Sequence, residues 1–238
     1  MLKLCVIGDP VAHSLSPMLH REMLEKAGID GTYKAVTVTA EELENFVKSA
    51  KNGAFDGFNV TMPHKETIIP LLDELAPLAR EMGAVNTVVV RQGRAIGYNT
   101  DGDGLVRSLP ELPKKAVVLG NGGAAKAVSR ALRQNGVEVA VCARHPVGEQ
   151  IPWCEMENAV SDCELLVNAT CLGMAGKGQF ADFYFLKKLP EKAVVYDLVY
   201  NPRRTELLEK AEMLCHPTIE GFTLLKSQAE LAFSIFIS

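Results

Sequence analysis

The sequence predicts an α/β fold in two domains, and three observations carry that prediction. Short apolar runs alternate with stretches of helical period, strand then helix, three times within the first seventy-five residues. After Lys114 the alternation restarts with more continuous apolar runs, "AVVLG", "VEVAVCA", "ELLVNAT" and "AVVYDLV", as expected of strands covered on both faces. Between the two series lies "GYNTDGDGLVRSLPEL", where a hairpin ends and a linking helix starts, with no low-complexity linker and no internal repeat. The boundary is placed there. Residues 1–101 form a mainly parallel first domain to which a C-terminal helix, 222–238, returns, and residues 102–221 form a doubly wound second domain.

The elements follow in order. "LKLCVIG" is a strand, and "SPMLHREMLEKAG" a helix with Ser16 as N-cap, Pro17 in the first turn and Gly28 at its end. "TYKAVTV" (32–38) and "AEELENFVKSAKNG" (40–53) repeat the unit, and "FDGFNVT" with "PHKETIIPLLDEL" repeats it again. "NTVVVRQGRAIGYNT" (86–100) differs: two short strands flank Gln92-Gly93, a hairpin that adds antiparallel strands.

Composition excludes several classes of function. The 238 residues are 47% hydrophobic and 23% charged, enough for a large core, and the net charge of −4 gives no broad electrostatic footprint for nucleic acid or an anionic membrane. The six cysteines show no C-x-x-C pair and no zinc spacing, and read as reduced, mostly buried thiols. No metal site is expected. The first apolar run breaks at Gly8-Asp9-Pro10, too early for the core of a signal peptide, and no run is long enough to span a bilayer. A cytoplasmic protein is the expectation.

"VVLGNGGAAKAV" places Gly120-x-Gly122-x-x-Ala125 directly after a strand and at the opening of a helix. There Gly120 makes the tight turn, Gly122 lets the backbone approach a pyrophosphate, Ala125 permits close helix packing, and the helix start offers its amides to phosphate. A dinucleotide is the ligand this suits; the other reading is a glycine-rich turn that binds nothing. The next strand ends in Ala143-Arg144-His145 with no acid to hold a ribose hydroxyl, and a guanidinium there suits a 2′-phosphate, which points to NADP, against an Arg144 that is simply solvated.

Three further stretches carry candidate chemistry. Ser14 and Ser16 sit two apart before a helix start and suit a carboxylate, although capping alone would explain Ser16. His13 and His20 have no third ligand and read as structural or surface residues. In "NVTMPHKE", Pro63 fits a first helical turn, which sets Lys65 near the positive end of the helix dipole, where a cation is disfavoured. That makes it a candidate proton-transfer group or else a surface lysine. Asp101 in "GYNTDGDG" is its candidate partner or, alternatively, the cap of the next helix.

Taken together, "GDPVAHSLSP", "NVTMPHKE", "GAVNTV", "GYNTDG", "LGNGGAAKA", "NAT", "YDLVYNP" and "EGFTLLKSQAELAF" resemble the shikimate dehydrogenase family over nearly the whole chain. The resemblance implies a substrate domain plus a Rossmann-type NADP domain with the active site in the cleft between them, and reversible reduction of 3-dehydroshikimate to shikimate in aromatic amino acid biosynthesis. It implies Lys65 and Asp101 as the catalytic pair and Ser14 and Ser16 on the substrate carboxylate. Thr61, Asn86, Asp101 and Gln228 would hold the ring hydroxyls, with Asn59 and Tyr200 lining the same pocket. Gly120, Gly122, Gly123 and Ala124 would hold the pyrophosphate and Arg144 the 2′-phosphate, with Thr170, Leu198 and Gly221 along the ribose and nicotinamide. A pocket so rich in hydroxyl, amide and carboxylate groups suits a polyhydroxylated acid and rejects analogues that lack a hydroxyl.

Two departures from the family accompany this. "RHPVGEQIPWCEMENAVSDCELL" is expected to run almost at once into the next strand, its helix deleted, with "HPV" where NADP-specific members carry Thr and a second basic residue. The sequence also ends at "SIFIS" where members continue into a further helix, so apolar surface would be recovered by a partner subunit or covered by rearranged side chains, in a monomer or homodimer. The rival within the class is a quinate or quinate/shikimate dehydrogenase using NAD. The rival outside it is a non-catalytic dinucleotide or metabolite sensor, which would need neither Lys65 nor Asp101.

Overall fold

In the computed structural model, which describes residues 1–238, strand β1 (Leu2–Gly8) is buried on both faces. Leu4 and Val6 join Tyr33, Val89, Ala232 and Phe236 on one side, while Cys5 and Ile7 join Val38, Leu43, Val47 and Phe58 on the other. The two-residue period of a strand divides a continuous apolar run between two cores, which is why "LKLCVIG" shows no polar alternation.

Around β1 the first unit is built in chain order from α1 (Ser16–Lys26), β2 (Gly31–Thr37), α2 (Leu43–Ser49), β3 (Gly57–Val60), β4 (Glu74–Leu75), α3 (Pro77–Met82), β5 (Thr87–Arg91) and β6 (Arg94–Tyr98). The sheet order is β2-β1-β3-β5-β6-β4. The first three are parallel, and β5 enters antiparallel to β3 and to β6. The β5–β6 turn has Gln92 at φ 51 and Gly93 at φ 75, the paired left-handed conformation of a two-residue hairpin. Helix α1 closes at Gly28, φ 64, whose N–H meets Glu25 O while Ile29 N–H meets Leu24 O, a Schellman end.

Several local expectations give way. Leu15, not Ser16, is the N-cap of α1, and the Ser14 hydroxyl accepts from the Ser16 N–H at 3.2 Å. The helix expected over 40–53 starts at Leu43 and widens into a π turn, Ala50–Ala54. No α-helix directly follows β3. Residues 62–68 form turns and Ile69–Leu71 a short 3-10 segment, because Pro70 has no N–H to extend the i to i−4 ladder beyond the Ile68-to-His64 bond.

The chain divides into two compact units, Met1–Gly104 with Lys226–Ser238 and Leu105–Leu225, and it passes from one to the other within α4 (Asp101–Ser108) and again within the last helix. The second unit comprises β7 (Lys115–Leu119), α5 (Gly123–Gln134), β8 (Glu138–Ala143), β9 (Ile151–Pro152), α6 (Met156–Ala159), β10 (Leu165–Asn168), β11 (Val194–Asp197), α7 (Glu206–Met213) and β12 (Thr218–Ile219); α8 (Gly221–Ile237) follows. All its strands are parallel, in the order β9-β8-β7-β10-β11-β12. Numbered within the unit, that is 3-2-1-4-5-6, the doubly wound order with its switch point between β7 and β10. The segment after Arg144 is not stripped of structure: β9 pairs with β8 at the sheet edge, and the one-turn α6 follows a 3-10 turn, Trp153–Glu155.

The cysteines are less buried than expected. Cys5, Cys142 and Cys163 are buried, Cys171 is half-buried, and Cys154 and Cys215 are exposed; all are free thiols. No helix is long and apolar enough to cross a membrane.

His20 on α1 belongs to the apolar core rather than to the surface. It is 0% exposed, its ring stacks on Tyr33 at 4.2 Å with Phe233 and Phe236 alongside, and neither ring nitrogen has a partner. Burial lowers its pKa from 6.5 to about 3. A depressed histidine contributes stability that is present above its unfolded pKa and lost as the pH falls toward the folded one. His20→Phe should therefore leave the protein at least as stable at neutral pH and, by about pH 4, about 3 kcal/mol less acid-destabilised than the parent, as read from urea unfolding at the two pH values. Parallel losses in both proteins would refute this account.

Candidate active site

At the end of β3 and the start of β5, two asparagines and a threonine form a buried polar centre in the first unit. The Asn86 side chain is satisfied on every valence. Its Oδ1 accepts from the Thr100 N–H and the Thr87 hydroxyl, each at 2.9 Å, and its Nδ2 donates to Asp101 Oδ1 at 2.7 Å and Thr100 Oγ1 at 3.0 Å. Thr100 Oγ1 reaches on to Gln228 Oε1 at 3.4 Å. Asn59 donates through Nδ2 to Asn86 O and to Thr87 Oγ1, both at 3.1 Å, and accepts at Oδ1 from the Tyr33 hydroxyl at 2.6 Å.

Lys65 meets this centre through Asp101. Its Nζ lies 2.5 Å from Asp101 Oδ2, the side chains being 20% and 8% exposed, so the carboxylate is shared between an ammonium on one oxygen and an amide on the other. The backbone holds Lys65 and the Asn86 that braces its partner. Val85 N–H donates to Lys65 O at 2.8 Å, Val60 N–H to Asn86 O at 2.9 Å and Asn86 N–H to Tyr98 O at 3.0 Å. In the turn itself, His64 Nε2 donates to Val38 O at 2.6 Å, and Thr61 N–H donates to Ile7 O at 2.9 Å. The lysine is thus set by a turn stitched to its neighbours, and a helix dipole plays no part in it. Asp101 does not cap α4 either: it is the first residue of that helix, and its N–H donates to Asn99 Oδ1 at 3.0 Å.

The structure brings Asn59, Lys65, Asn86, Asp101 and Gln228 into one connected network, and Ser14 and Ser16 into contact with each other at the start of α1. Tyr200, which the resemblance groups with them, belongs to the second unit. Thr87, Thr100 and Tyr33 were not singled out in the sequence although each lies in or beside a quoted motif. A polar residue opening an otherwise apolar strand, as in "NTVVV", was the available signal.

In the second unit β7 runs into Gly120, φ 106, where an added Cβ would stand 3.1 Å from both Ala169 O and Thr170 Cγ2. Gly122 is the N-cap of α5 with no atom within 4 Å of an added Cβ, and Gly123 and Ala124 open the helix. Ala125 is buried against the sheet. Arg144 follows β8 directly and is exposed. Asn121 Nδ2 donates to His145 O at 2.9 Å, tying the arginine's loop to the glycine-rich turn.

Two buried residues shape the neighbouring strand ends. Asn168 Oδ1 accepts from the Thr170 N–H and hydroxyl, and its Nδ2 donates to Asp197 Oδ1 at 2.9 Å; Asp197 also accepts from Val199 N–H and the Thr205 hydroxyl. The loop leaving β11 carries Leu198 and Tyr200, and Gly221 lies so close that an added Cβ would stand 2.6 Å from Leu198 O. Desolvation raises the Asp197 pKa from 3.8 to about 6 against these hydrogen bonds.

An acid with a raised folded pKa stabilises below its unfolded pKa and loses that contribution as the pH rises through the folded one. Asp197→Asn can keep the Asn168 and Val199 bonds through its oxygen. From about pH 4 to about pH 7 the parent should lose about 2 kcal/mol relative to this variant in chemical unfolding, and a constant difference would contradict the assignment.

A family model described as the shikimate dehydrogenase substrate binding domain matches residues 6–88. The shikimate dehydrogenase (NADP(+)) of Paramagnetospirillum magneticum is 40% identical, the match covering 96% of this chain and 90% of the relative. That of Lysinibacillus sphaericus is 38% identical over 96% and 89%. The crystal structure of shikimate 5-dehydrogenase from Thermus thermophilus in complex with NADP(H) and shikimate superposes with a TM-score of 0.90 at 36% identity, covering 99% of this chain and 93% of that one.

Proposed function

The chain belongs to the shikimate dehydrogenase family, and from that premise we propose that it interconverts 3-dehydroshikimate and shikimate with NADP, in the route to the aromatic amino acids. The observation that carries this reading is the Lys65–Asp101 pair at 2.5 Å, braced by Asn86. In the reductive direction Lys65 gives a proton to the oxygen that becomes the hydroxyl, and in the oxidative direction it takes that proton back. Asp101 orients the ammonium and accepts the hydrogen bond of a ring hydroxyl. Ser14 and Ser16 bind the substrate carboxylate; Thr61, Asn86 and Gln228 hold ring hydroxyls, and Asn59 and Tyr200 line the pocket. Residues 1–101 are the substrate and catalytic domain and residues 102–221 the dinucleotide domain.

The residues of the second unit fit the cofactor. A positive φ and a close approach to Ala169 require glycine at 120, the space before Gly122 suits a pyrophosphate, and no acid stands at the end of β8 to oppose a 2′-phosphate. Bound there, NADPH supplies the hydride. Gly120, Gly122, Gly123 and Ala124 hold its diphosphate and Arg144 its 2′-phosphate, with Thr170, Leu198 and Gly221 along the ribose and nicotinamide. Six free thiols suit the reducing conditions of the cytoplasm.

The test is to follow NADPH formation with the purified protein, crossing shikimate and quinate with NADP and NAD. Shikimate with NADP should turn over fastest. Preference for quinate or NAD hands the reading to the quinate rival, and no turnover with any pair supports the sensor.

Two substitutions sharpen the assignment. Lys65→Ala should lower kcat by about 10²- to 10⁴-fold with a much smaller change in KM for shikimate, because its proton is needed in the transition state; a raised KM with kcat intact would make Lys65 a binding residue. Arg144→Ala should raise KM for NADP by about tenfold or more and leave that for NAD nearly unchanged, whereas equal effects on both would remove Arg144 from the 2′-phosphate.

A further inference from the structure

We infer that Thr87 is a positioning residue for the reaction: its one hydroxyl proton locks the Asn86 amide with its NH2 toward Asp101. The inference rests on Lys65 and Asp101 being the proton-transfer pair. The proton positions follow from groups whose roles cannot change. The Thr100 backbone N–H can only donate, so the Asn86 atom it meets at 2.9 Å is the oxygen, and the nitrogen faces Asp101. The Asn86 carbonyl can only accept, so the Asn59 atom it meets at 3.1 Å is the nitrogen. Thr87 Oγ1 stands between the two amides, receiving from Asn59 Nδ2 at 3.1 Å, which leaves its proton no place but Asn86 Oδ1, 2.9 Å away.

Thr87 is 0% exposed and opens β5, where it pairs with Tyr98 across the hairpin, so its hydroxyl is held by the sheet and not by solvent. Its side chain bonds both amides, the receiving group for one and the donor for the other. Losing it leaves a buried Asn59 N–H short of an acceptor and removes one of the two hydrogen bonds that fix the Asn86 oxygen. The amide is then free to rock away from Asp101 Oδ1, and the carboxylate loses the constraint that keeps its other oxygen on Lys65. Val at this position keeps the shape and lacks the hydroxyl, and Ser keeps the hydroxyl and lacks the methyl.

The experiment compares Thr87→Val, Thr87→Ser and Lys65→Ala with the parent, using shikimate and NADP. Thr87→Val should lower kcat about tenfold and leave KM for NADP within about twofold, and Thr87→Ser should restore kcat to within about twofold of the parent. Hydrogen exchange of the Asn86 side-chain amide, followed by NMR, should quicken in Thr87→Val and return to the parent rate in Thr87→Ser. Parental kcat and exchange in the valine variant, or a serine variant as impaired as the valine one, would overturn the inference. The exchange measurement needs no turnover, so a Lys65→Ala enzyme that kept its kcat would sink the proton-transfer reading separately, without changing what exchange says of Thr87.

Discussion

A carboxylate that is nearly sealed from water has to be compensated on both oxygens, and Asp101 is. One oxygen receives the Lys65 ammonium and the other the Asn86 amide, and each of those groups is itself held from behind. The lysine sits on a turn whose carbonyl is taken by Val85, and the amide is saturated by Thr87 and Thr100. Remove any one brace and the charge is left partly unpaired in a region of low dielectric. The arrangement therefore ties the Lys65–Asp101 pair to the integrity of the β3–β5–β6 part of the sheet, and the polar residues here orient one another.

The second unit reaches a similar end by different means. There shape does what charge does in the first unit: a glycine at positive φ, a second glycine with nothing within 4 Å of an added Cβ, and a helix start behind them. Asn168 and Asp197 turn two strand ends into fixed loops through side-chain bonds to N–H groups. Burial also pushes the Cys142 and Cys163 thiols up to about 11 and about 12, so these core cysteines pack as small apolar groups and carry no thiolate chemistry.

Strands were legible wherever an apolar run was bounded by a turn, because burial on both faces leaves an unbroken signal, and the Gln92-Gly93 hairpin was legible because only certain residues accept its backbone. The stretch after β3 misled, since "PHKETIIPLLDEL" has helical period but Pro70 sits where an amide was needed, and the chain compensates with bonds to Val85 and to Val38 that no local pattern records. Lys65 itself was singled out for a wrong local reason, a dipole at a helix that does not form, whereas its pairing with Asp101 rested on strand-end position and on the family resemblance. Serine capping failed similarly: the Ser14 side chain serves the turn that the Ser16 position was expected to serve. Thr87 stayed hidden because its value lies in joining its chain neighbour Asn86 to Asn59 on β3, a contact between distant residues that no local pattern records.

The bond from Val85 N–H to Lys65 O belongs to the main chain and is indifferent to the side chain at 65. The place in space is inherited from the sheet, while the group that fills it is a separate choice. Exchanging the residue at that point therefore leaves the turn in place, and what changes hands is the countercharge on one oxygen of Asp101.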